Sequence, residues 1–75
     1  MIKNNLEDIR IKQLGYKFQK DFAEWLEMEV SMYCLYENNK KKKPDPDVMF
    51  MIVEKLRTRL PDLKFEDVFY RVADN

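Results

Sequence analysis

Apolar residues in this chain recur every three or four positions instead of alternating, and a single glycine and three prolines interrupt them. That spacing is the period of one helix face, and it predicts an all-α chain of helices joined by short turns. Five helices are expected. The first covers residues 5–14, where Leu6 and Ile9 share a face and Gly15 stands where a helix commonly ends in a left-handed residue. A second, over 18–27, repeats Phe18, Phe22 and Leu26 at four-residue spacing, with the small Ala23 beside them. The third runs over 29–38, with Tyr33 and Tyr36 three apart and facing the core together, until Asn38 and Asn39 break it. In the fourth, Asp45 is expected to cap the free amides, Pro46 suits the first position and Asp47 complements the helix dipole. Val48, Met49, Ile52, Val53, Leu56 and Leu60 follow a helical period until Pro61. Phe65, Val68, Phe69 and Val72 mark a short fifth helix.

At 75 residues the chain has room for one compact domain, whose small core needs efficient packing or dimerisation. Disulfides and structural zinc are the other usual supports, and a lone Cys34 with no histidine provides neither. A single thiol fits a reducing, cytoplasmic compartment, and neither a signal peptide nor a membrane-spanning run is expected.

The net charge is zero, from 14 basic and 14 acidic residues, but the two signs are segregated. Residues 1–20 carry five bases against two acids, 21–37 carry five acids and no base, and Lys40, Lys41, Lys42 and Lys43 form an unbroken run. That run is the candidate for touching phosphate. The aromatic residues Phe18, Phe22, Tyr33 and Tyr36 are assigned to the core, Trp25 to a half-buried place on the second helix, and Cys34 to a partly exposed position. Without histidine a catalytic thiol lacks its usual base, and one glycine cannot build a phosphate-binding loop, so enzymatic activity, cofactors and small-molecule ligands are not expected.

The segment Gln19-Lys20-Asp21-Phe22-Ala23-Glu24-Trp25-Leu26, followed after a short break by Tyr33, Tyr36, Glu37, Asn38 and Asn39, carries the functional signal. Two short helices joined by three or four residues are the helix-turn-helix unit, here at 18–38. The pattern resembles the Cro/cI-type (XRE, lambda-repressor-like) DNA-binding family, in particular its phage and mobile-element regulators. Members have Gln at the start of the second helix, an apolar residue and Ala three and four positions on, and Leu at seven; Gln19, Phe22, Ala23 and Leu26 match. Glu37, eighteen after Gln19, also matches, as do Gly15-Tyr16 and Glu37-Asn38-Asn39, and the likeness extends over residues 5–70. Phe18 departs from the usual capping Ser or Thr, Glu27 from the usual turn glycine, and Glu29 from the usual polar cap. The turn between the first two helices is also about two residues longer than usual.

The resemblance implies a compact five-helix domain that binds double-stranded DNA as a homodimer and regulates transcription. It places Val30, Ser31, Cys34 and Leu35 on the reading face of the third helix, and Gln19 against phosphate or bracing a neighbouring contact. Lys20, Asn38 and the four lysines are the remaining DNA-binding candidates. The acidic second helix and the apolar third also suit a protein-interaction module, such as an antirepressor that binds another regulator. The fifth helix is the expected source of the dimer interface.

Overall fold

The computed structural model describes residues 2–38 and 44–72. The fold is mostly helical, but not all-α: β1 (Ile2–Asn4) pairs antiparallel with β2 (Phe69–Arg71), Asn4 opposite Phe69 and Ile2 opposite Arg71. The ladder continues through Asn5, whose N–H donates to the Val68 carbonyl at 2.9 Å and whose side-chain amide donates to the Asp67 carbonyl at 3.0 Å. The expected fifth helix is thereby cut short. It is α5 (Phe65–Val68), a single turn, and Phe69 leaves it in the extended conformation to join the sheet. Pairing with the N-terminal strand overrides the helical spacing of Phe69 and Val72.

The first expected helix is α1 (Leu6–Asp8) followed by a π-helical stretch, Ile9–Gln13, in which the Leu14 N–H reaches back five residues to the Ile9 carbonyl. Leu6, Ile9 and Arg10 all face inward there. Gly15 follows with φ +77, the left-handed residue expected at that place.

α2 (Gln19–Trp25) buries Phe22 and Ala23, and α3 (Val30–Glu37) buries Tyr33, Tyr36 and Glu37. Phe18 is not in the core. It precedes α2 in extended conformation and is 61% exposed, so the four-residue stripe does not reach back to it. α4 (Pro46–Arg57) starts with proline in its first turn as expected, but the Asp45 side chain makes no capping hydrogen bond. The helix ends at Arg57, and a turn through Thr58 and Arg59, in which the Leu60 N–H still donates to the Leu56 carbonyl at 2.8 Å, covers the rest of the way to Pro61.

The core joins Leu6 and Ile9 to Phe22, Ala23, Leu26 and Tyr33, then to Met49, Ile52, Val53 and Leu56 of α4 and to Leu63, Val68 and Phe69. Tyr33 meets Phe22 edge-on at 5.3 Å, and Trp25 stacks with Phe22 at 5.7 Å. Trp25 is half-buried, and Lys55 and Arg59 lie over its ring at 5.4 and 5.9 Å, tying the end of α4 to α2. Among the described residues no helix is long and apolar enough to cross a membrane.

Candidate nucleic-acid interface

α2 and α3 are joined by residues 26–29, and the geometry of that turn follows from backbone hydrogen bonds. The Glu27 N–H donates to the Glu24 carbonyl at 3.0 Å and the Met28 N–H to the Ala23 carbonyl at 2.8 Å. These are the paired bonds of a Schellman C-cap, which demands a left-handed residue between them. Glu27 takes that role at φ +61, where glycine would be free of strain. Glu29 then begins α3 in extended conformation without a side-chain cap; its carboxylate instead accepts from the Ser31 hydroxyl at 3.1 Å.

Behind α3 lies a buried polar cluster centred on Glu37. Arg10 Nε donates to Glu37 Oε1 at 2.9 Å, the Tyr33 hydroxyl donates to the same oxygen at 2.6 Å, and Gln19 Nε2 donates to Oε2 at 2.5 Å. The Arg10 guanidinium also donates to the carbonyls of Tyr16 and Lys17, at 3.0 and 2.8 Å. One arginine thus closes the turn after the π-helical stretch and anchors the last turn of α3. Every buried side-chain nitrogen and oxygen among the described residues has a partner.

This environment acts on protonation. Burial alone would raise the Glu37 carboxyl, but hydrogen bonds from Arg10, Tyr33 and Gln19, with the charge of Arg10, outweigh it and hold it below its ordinary 4.5. Burial, reinforced by the hydrogen bond to Glu37, pushes the Tyr33 phenol well above its ordinary 10. For Arg10 the cost of burial is outweighed by the hydrogen bond and charge of Glu37, so it stays protonated.

The predicted site residues divide into three groups. Val30, Ser31 and Leu35 are exposed, Val30 by 40% and Leu35 by 37%, and their spacing puts them on one side of α3. Lys20 and Asn38 are exposed as well, at the first turn of α2 and the end of α3. Gln19 and Cys34 are half-buried and face each other, the thiol donating to Gln19 Oε1 at 3.0 Å. With its amide nitrogen on Glu37, Gln19 is a brace between α2 and α3. Lys40, Lys41, Lys42 and Lys43, with Asn39, lie outside the described residues.

The resemblance covers Glu37, and the sequence assigns Tyr33 to packing, but neither brings the two together with Arg10. Two signals pointed to their convergence. Arg10 falls on the inward period of Leu6 and Ile9, and Glu37 lies one helical turn beyond Tyr33.

Protein-family models, curated proteins and solved structures contain no match to this chain.

Proposed function

We propose that the protein is a sequence-specific double-stranded DNA-binding transcriptional regulator, a cytoplasmic, non-enzymatic homodimer of the phage or mobile-element repressor kind with a lambda-repressor-like helix-turn-helix domain. The observation that carries this reading is the way α3 is presented. Val30, Ser31 and Leu35 are exposed on a helix whose last turn is locked to α2 and to the first helical segment through Glu37, Gln19 and Arg10. A rigidly held helix with an exposed side is what reading a major groove requires. Ser31 offers a hydroxyl to base edges, and Val30 and Leu35 offer apolar contact to thymine methyl groups. Lys20 and the four lysines past α3 supply phosphate contacts that add affinity without reading sequence.

Titration of fluorescent duplex DNA at rising salt tests it. The wild type should bind with an affinity that falls steeply with salt. A variant with all four lysines changed to alanine should bind far more weakly, with a log–log slope shallower by about 0.9 for each phosphate no longer neutralised. Absence of salt-dependent binding contradicts the reading.

The exposed Phe18, Val30 and Leu35 with the acidic Glu27 and Glu29 favour a second reading, a module that binds another regulator. It requires that alanine at the four lysines leave partner binding intact.

A further inference from the structure

Of the four residues expected at the dimer interface, Val68 and Phe69 are buried in the core, and Phe65 and Val72 are half-buried. The apolar surface left open on that side belongs to α4. Phe50 is 57% and Met51 45% exposed, on the side of the helix away from Met49, Ile52, Val53 and Leu56. Beside them runs a groove of about 320 Å³ between α4, Phe65 and the sheet, lined by Ile2, Pro46, Met49, Phe65, Phe69 and Tyr70 along with Arg71. Phe50 stands at its rim, its ring 5.0 Å from that of Phe65. Through that ring contact an aromatic knob adjoins an apolar hollow.

This face also carries two acids and one base, with opposite signs at its two ends. Asp47, Phe50, Met51, Glu54 and Arg57 are all exposed, at three- and four-residue spacing along α4. An acid lies at the N-terminal end of the stripe and a base ten residues on, about 15 Å along the axis. Two such helices packed antiparallel about a two-fold axis bring Asp47 of each copy to Arg57 of the other, on either side of the four apolar side chains.

We propose that this face, the exposed stripe of α4 with the adjoining groove, is the homodimer interface, and that its occupant is a second copy of this chain. A two-fold interface needs one patch complementary to itself, and here knob, hollow and both charge signs share one patch. A core of this size without a disulfide also gains from a partner. The assignment deepens the homodimer reading above and is independent of DNA.

Sedimentation equilibrium of the full chain without DNA tests it. The wild type should approach twice the 9.2 kDa of one chain as concentration rises. Phe50→Glu, and independently Met51→Lys, at an exposed position, should weaken association by about 30-fold or more, the scale of a lost interface anchor. Asp47→Arg should weaken it by about tenfold or more through like-charge apposition with Arg57, and adding Arg57→Asp should restore it. A wild type that stays monomeric, association unaffected by both Phe50→Glu and Met51→Lys, or a charge swap without rescue overturns the assignment. A wild-type dimer that binds no duplex removes the DNA reading and leaves the interface standing.

Discussion

Two regions of the molecule are built on opposite principles. Where α1, α2 and α3 meet, a charged pair is taken out of water and every polar atom it brings is matched to a neighbour. Where α4, α5 and the sheet meet, packing is apolar, with ring pairs Phe50–Phe65 and Phe65–Phe69 at 5.0 and 5.6 Å, and part of the apolar surface is left over. A buried ion pair adds little net stability but tolerates few alternative geometries, so it suits a helix that must be held at one angle. Apolar packing is stronger and less particular, and its unfinished portion suits association. The contrast teaches that the same small chain can fix one helix by matched polar groups and leave apolar surface open on another.

The largest expected effect breaks the polar end. Glu37→Ala leaves the Arg10 charge buried without its counter-ion, and should cost about 3–5 kcal/mol in urea denaturation, a large part of the about 4–11 kcal/mol a chain of this length holds. Replacing both partners by methionine should cost clearly less than Glu37→Ala, since no charge is stranded. At the apolar end Leu56→Ala, at a fully buried position, should cost about 2–5 kcal/mol and leave the pH dependence of stability unchanged.

That pH dependence belongs to the polar end. The Glu37 carboxyl is held below 4.5, so its contribution is complete above that pH and is lost as pH falls through the lowered value. The Tyr33 phenol is raised, so its contribution is complete below pH 10 and is lost as pH rises through its folded value. Urea midpoints followed from pH 6 to 3 should fall steeply in the wild type and less steeply in the double-methionine variant. Glu27→Gly should stabilise the chain by about 1 kcal/mol, by relieving the left-handed strain of the turn. Smallest of all, Phe18→Ala should change stability by no more than about 0.5 kcal/mol, because the ring is mostly exposed.

The readable parts were those with local causes. Gly15 ends the first helical segment, Pro46 opens α4, and the periodicity of Phe22, Ala23, Leu26 and of Met49, Ile52, Val53, Leu56 marks buried faces. What escaped depends on distant partners. Phe69, Tyr70 and Arg71 become a strand only because residues 2–4 lie alongside, a pairing across nearly the whole chain that helical spacing does not announce. The exposure of Phe18 follows from an extended residue before α2, where period no longer predicts direction. At the candidate site the exposed residues of α3 were legible from spacing, whereas the role of Gln19 required seeing Glu37 beside it.

The central claim, that the exposed side of α3 reads DNA, is tested most directly by selection from a random duplex pool at near-physiological salt. The wild type and a Val30→Ala/Ser31→Ala/Leu35→Ala variant would be selected in parallel. An enriched motif is expected with the wild type, repeated as two half-sites, and it should vanish in the folded variant. No enrichment with the folded wild type, or the same motif retained by the variant, would contradict the claim.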